Sequence, residues 1–251
     1  MTSNQQILYD IEVHSVEGIK NYFTNGGDPN ESINNVPLFT TMVEMYQRSP
    51  RFKECVKLFI DHGLNFDDEA LLAVLADDAV KLESLISADK NIVNKRYSKH
   101  NNTFTSLSDT TLLHYCAEYN HVDCAKILIS HGADTNARAG VDENGFGGHT
   151  PIFHTVAQNG NNSIDMLHLL AENGADLLLT LKGLIWGKGY EWETFIPSIS
   201  PISYAMMGLL PQMHRNPLQI ADNISLLLNF AYKMEYKLPN IPNKYLKSQT
   251  H

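Results

Sequence analysis

The sequence predicts an all-α chain, a solenoid of stacked helix–turn–helix pairs with hairpin-like loops along one edge. Three observations lead there. The stretch Thr111 to Asn136, TLLHYCAEYNHVDCAKILISHGADTN, holds two short amphipathic helices, about Leu112 to Glu118 and Asp123 to Ser130, around a polar turn. A near copy follows, HTPIFHTVAQNG from His149 and MLHLLAENGAD from Met166. Helices this short cannot cover their own apolar faces, so such a unit is buried only by stacking on its copies.

The step from Thr111 to Thr150 is 39 residues, and from Gly132 to Gly174 it is 42. Thr111, Leu113, His114 and Ala117 in one copy, and Thr150, Pro151 and Ile152 in the next, follow the pattern T-P-L-H-x-A. Gly132-Ala133-Asp134 and Gly174-Ala175-Asp176 close the two copies alike. The chain thereby resembles the ankyrin family, over most of residues 5 to 235 and most closely over 109–177. The resemblance implies an ankyrin-repeat solenoid whose function is recognition of another protein, with chemistry rarely involved. The stretch 180–215 also resembles one in bacterial ankyrin proteins and implies no activity.

Taken in order, the approximate repeats are 5–30, 36–66, 68–95, 109–137, 149–177 and 200–235, with an insertion at 178–199, all in a single domain. The first is a worn cap: Val16, Ile19, Tyr22 and Phe23 stand at helical spacing before Asn25-Gly26-Gly27-Asp28-Pro29-Asn30. In the second, Val36-Pro37-Leu38-Phe39 occupies the place of Thr150-Pro151-Ile152-Phe153, and proline suits a first helical turn. Its outer helix is Phe52 to Ile60. The third, Asp68 to Asn94, has neither motif but keeps Leu71, Leu72, Val74 and Leu75 on one side. Polar stretches between Lys95 and Asp109 and from Ala137 to Gly148 read as fingers, the second rich in glycine for tight turns. The insertion, LLLTLKGLIWGKGYEWETFIPSIS, reads as extended strands joined by a glycine turn, and carries Trp186, Tyr190, Trp192 and Phe195. Pro201 restarts a last repeat that lacks the Gly-Ala-Asp ending.

Apolar residues make up 43% of the chain, enough for a core, and the net charge is −9 with no Lys/Arg cluster. The expected partners therefore exclude nucleic acid and membrane. Three scattered cysteines, Cys55, Cys116 and Cys124, read as small buried apolar residues in a reducing compartment. With no basic start, no apolar leader and no apolar run near the roughly 18 residues of a membrane span, the chain is expected to be cytoplasmic. It is also expected to be monomeric.

Eleven histidines invite a metal reading, but no pair has the company of a third ligand, and HExxH is absent. His114 reads as a structural imidazole. No G-x-S-x-G elbow and no phosphate loop occurs, and Gly187-Lys188-Gly189 has no helix after it. Glu191 and Glu193 flank Trp192 two residues apart, as the solvated face of a strand would. No enzyme, cofactor or metal site is expected.

What the resemblance implies about binding is a set of residues before each TPLH site and at the end of each first helix. These are Asn35, Glu44, Thr110, Glu118, Tyr119, Phe146, His149 and Gln158, joined by Trp186, Tyr190 and Trp192 if the insertion is exposed. Its aromatics either seal the last repeat or anchor a partner. Two rival readings stand beside the adaptor. One is an inhibitor or immunity-type partner of a co-encoded protein. The other is a small-ligand or hydrolytic site beneath the insertion, using Trp192, Glu193 and His214.

Overall fold

The computed structural model describes residues 3–98, 100, 105–156, 162–187, 191, 193–207 and 216–235. The chain divides into two compact units, Met1–Ala133 and Asp134–His251.

In the first unit the helices are α1 (Ser3–Glu12), α2 (Val16–Thr24), α3 (Leu38–Glu44), α4 (Phe52–Asp61), α5 (Glu69–Leu75), α6 (Ala79–Ala88), α7 (Leu112–Tyr119) and α8 (Val122–Ser130). Helices α1 and α2, α5 and α6, and α7 and α8 pack as pairs. Pairs then stack like on like: α1 on α3 and α5 on α7, α2 on α4 and α6 on α8. The core is a line of residues such as Ile11, Ile19, Met42, Phe59, Leu71, Leu82, Leu113 and Leu128, all fully buried along the stack. Local chemistry starts the helices. Asp68 Oδ1 accepts from Leu71 N and Asp78 Oδ1 from Lys81 N, both at 2.9 Å, so the third, worn pair is capped by aspartates. His114 acts inside its own repeat, where its Nδ1 accepts from the backbone N–H of Thr111 at 3.2 Å.

Four second helices end alike. Gly26, Gly63, Gly132 and Gly174 have φ between 84° and 90°, a left-handed conformation that a side chain would strain. The aspartate two residues after three of these glycines folds the chain onward. Asp28, Asp134 and Asp176 each accept, through Oδ1, from the amide two residues on at 2.8–2.9 Å. Asp89 does the same for Asn91 at 3.0 Å, which marks the end of the worn repeat without any Gly-Ala-Asp.

A second device joins one repeat to the next. Asn30 donates through Nδ2 to the Gly63 carbonyl at 3.0 Å and accepts through Oδ1 from Asn65 N at 2.7 Å. Asn136 repeats this on Gly174 at 2.9 Å and Asp176 at 2.7 Å. One amide side chain thus satisfies an orphan helix-end carbonyl and a turn amide of its neighbour.

The second unit holds α9 (Ile164–Glu172), β3 (Leu181–Trp186), β4 (Thr194–Ile199), α10 (Pro201–Met207) and α11 (Pro217–Tyr232). The expectation of an all-helical chain is corrected by two antiparallel hairpins. One is small, β1 (Ser32–Ile33) with β2 (Val36–Pro37), in the first unit. The other pairs β3 with β4 in the register Leu184↔Ile196 and Trp186↔Thr194. Ser198, at φ 48°, interrupts β4. Ile196 and Ile199, three apart, are both buried, as such a turn of the strand allows. The first helix expected after Thr150 is only a short 3-10 turn, Pro151–His154. Thr155 turns its hydroxyl back onto the Ile152 carbonyl at 2.8 Å, and the β-branched pair Thr155-Val156 is a poor helix continuation.

Candidate partner-binding surface

Of the residues the sequence assigns to binding, four lie at least partly open. Asn35 is exposed at the tip of the β1–β2 hairpin, where Asn34 (φ 52°) and Asn35 (φ 64°) supply the left-handed pair that a tight two-residue turn needs. Glu44 ends α3 half-exposed, its Oε1 3.8 Å from His100 Nδ1. Phe146 and Trp186 are half-buried on the fingers of the second unit.

Four others are inside, against the expectation of an open face. Thr110 is bridged to Tyr97 and donates its hydroxyl to the Leu107 carbonyl at 3.0 Å. His149 is buried with its ring 5.1 Å from that of His154. Glu118 and Tyr119 retain only 3% and 7% of their exposure. The reason is the segment Met45 to Arg51 between α3 and α4, which carries Arg48 over the end of α7. Arg48 Nε donates to Glu118 Oε1 at 2.6 Å, and its guanidinium carbon lies 4.8 Å from the Tyr119 ring centroid. Its Nη1 bonds the carbonyls of Met45 and Gln47. Tyr119 stacks on Phe52 at 4.2 Å and donates its hydroxyl to the Val43 carbonyl at 2.5 Å. Burial opposes the Arg48 charge, but the Glu118 carboxylate outweighs it and raises the guanidinium pKa further. The cluster is a sealed plug, closed to a partner.

Gln158, Tyr190 and Trp192 lie outside the described residues, as does His214. Of the three residues in the pocket reading beneath the insertion, only Glu193 is described, and it is exposed.

The two fingers of the second unit pack together. Gly147 N donates to the Gly183 carbonyl at 2.9 Å, and Lys182 Nζ to the Asn144 carbonyl at 2.6 Å. Phe146 meets Phe195 at 4.5 Å between centroids, with Lys182 Nζ 5.0 Å from the Phe146 ring. Phe195 stays 48% exposed and Val141 62%. Val141 and Lys182 add to the surface in a way the sequence did not mark. Their only signal was an alternating run beside a glycine-rich finger.

The remaining reactive side chains are put to structural use. His121 donates from Nδ1 to the Val74 carbonyl at 2.6 Å, in the preceding repeat. Cys55, Cys116 and Cys124 are free and buried, and burial raises all three thiols, Cys55 to about 12, so none is a ready thiolate. Among the described residues no group of three or more His, Cys, Asp or Glu could hold a metal ion. No helix among them is long and apolar enough to cross a membrane.

Stacked helix pairs, glycine-ended second helices and finger loops define a helix-pair repeat protein. Residues 70–180 match the family model described as ankyrin repeats, in three copies, and this segment consists of ankyrin repeats. Comparison with curated proteins gives no match.

Proposed function

We propose that the chain is a non-catalytic protein-interaction module, an ankyrin-repeat adaptor that holds its partner through finger tips. The observation that carries the reading is the joined finger surface, where Phe195 and Val141 stand open beside the half-buried Phe146 and Trp186. Aromatic side chains already fixed by neighbours bind with little further loss of freedom. Asn35 and Glu44 supply a second, polar set of contacts on the first unit. Ankyrin repeats generally mediate protein–protein interaction, which agrees with this use of the surface.

Affinity capture from source cells with the wild-type chain and a Phe195→Ala/Trp186→Ala variant tests the proposal. A retained protein should be lost from the variant, since truncating an aromatic anchor weakens binding by about 2 kcal/mol or more. Matching circular dichroism of the two proteins keeps the comparison fair. Retention of no protein, or equal retention by both, overturns it.

A further inference from the structure

The first repeat carries a groove that the fingers do not touch. It has a volume of about 680 Å³ and lies along α1, α2 and the turn that follows, lined by Asp10, Asn21, Tyr22, Asn25, Asp28 and Glu31. No lysine, arginine or histidine lines it. Its acceptors differ in depth. Asp28 sits at the exposed rim, with Oδ1 committed to Asn30 N at 2.8 Å. Glu31 is half-buried and accepts the Tyr22 hydroxyl, whose pKa is raised to about 12 by burial and then by this carboxylate.

Asp10 is the unusual member. It is only 7% exposed, yet its side chain has a single hydrogen bond, from Gln6 Nε2 to Oδ2 at 3.1 Å. Its Oδ1 accepts nothing, and no cationic side chain among the described residues pairs with it. The fold makes room for this carboxyl. A Cβ on Gly18 would fall 2.3–2.6 Å from its atoms, so only glycine lets α2 pass so close. A nine-tenths buried carboxylate without a cation is costly unless a ligand completes it.

We propose that the groove binds a guanidinium group, an arginine-type side chain that reaches Asp10 between the Glu31 and Asp28 carboxylates. Guanidinium suits it better than ammonium. Its planar fork delivers several N–H donors to carboxylate and amide oxygens at once, and it stacks on aromatic rings such as Tyr22. The groove is also far larger than the head group alone, with room for the peptide that would carry it. This site is independent of the finger surface.

The test is amide-resolved NMR on the full labelled chain, following Gly18, Asn21 and Gly27. The probes are an N-acetyl, C-amidated Gly-Arg-Gly peptide, its lysine and citrulline counterparts, and agmatine as a free alkylguanidinium. The arginine peptide should shift these amides, the lysine peptide should bind several-fold more weakly, and the citrulline peptide should leave them unmoved. Asp10→Asn should weaken the arginine peptide about tenfold or more, as expected for a lost charge-assisted bond. Glu31→Gln, which keeps an acceptor for Tyr22, should weaken it less, and it serves if Asp10→Asn does not fold. Agmatine binding as tightly as the peptide assigns a small free ligand, and tighter peptide binding assigns a polypeptide; both outcomes support a guanidinium site. Unmoved amides with both guanidinium probes, equal binding of citrulline, or unchanged binding by both variants overturns it. The Phe195→Ala/Trp186→Ala variant should bind the probe as wild type does, so the fate of the finger proposal is read separately.

Discussion

Arg48→Ala should destabilise the first unit by about 3–5 kcal/mol, the usual cost of taking one partner from a buried ion pair. Arg48 and Glu118 keep only 8% and 4% of their side-chain exposure, so water cannot replace the missing cation at the 2.6 Å contact. The same change removes the guanidinium packed on Tyr119, and the Met45 and Gln47 carbonyls lose their donor. A loss of this size is a large part of the roughly 5–15 kcal/mol that holds a domain folded. Urea unfolding followed by circular dichroism measures it. The double variant Arg48→Met/Glu118→Met should recover most of the loss, because two apolar side chains fill the space without burying charge. Raising salt should change the wild-type value little, in contrast to a surface pair. A loss below about 1 kcal/mol would place this pair with ordinary surface ion pairs and would contradict the sealed plug.

Acid should weaken the same unit through two histidines. Burial, and then Arg48 and Arg51, lower the His14 pKa to about 4. Burial lowers that of His121 to about 4 as well, with Lys53 and Lys57 acting in the same direction and Asp77 and the Val74 carbonyl acting against it. Both folded values lie below the ordinary 6.5, so between pH 6.5 and 4 the unfolded chain binds more protons. The stability they contribute is complete above pH 6.5 and is lost as the pH falls toward 4, by roughly 3 kcal/mol for each histidine. His14 sits at φ 48°, a conformation asparagine accepts, so His14→Asn tests the effect without backbone strain. Denaturation midpoints collected at half-unit pH steps should fall more gently for His14→Asn than for wild type. Parallel curves would show that His14 is protonated in the folded chain.

What could be read from the sequence was whatever contiguous residues encode. Gly132 and Gly174 announce left-handed helix ends, and Asp134 and Asp176 announce the turns after them, because both effects act over two or three residues. Even the worn repeat was legible through the apolar side of α5, although its closing Asp89 turn was not marked. The strands of the insertion were legible through alternation and glycine punctuation. The plug was not. Arg48 meets Glu118 across 70 residues of chain, and no local pattern distinguishes a loop arginine that folds inward from one in water. For that reason Glu118 and Tyr119, placed by the resemblance at the open end of a first helix, proved to be covered. The 3-10 turn at Pro151 was missed because Thr155 competes for a helix carbonyl only once its hydroxyl has turned back. The groove at Asp10 was equally hidden: a lone aspartate in an amphipathic helix looks solvated until Gly18 is seen lying against it.

The central claim is that successive helix pairs are clasped to one another, with the same asparagine bridge used twice. Amide hydrogen exchange at Asn65 and Asp176 reads the bridge directly, since their N–H groups donate to Asn30 and Asn136 at 2.7 Å. Both amides should be protected in the wild-type chain. Asn30→Ala should speed exchange at Asn65 alone, and Asn136→Ala at Asp176 alone, each by about tenfold for the loss of a bond worth roughly 1 kcal/mol or more. Fast exchange at both sites in the wild type, or rates that neither substitution alters, would contradict the stacking described here.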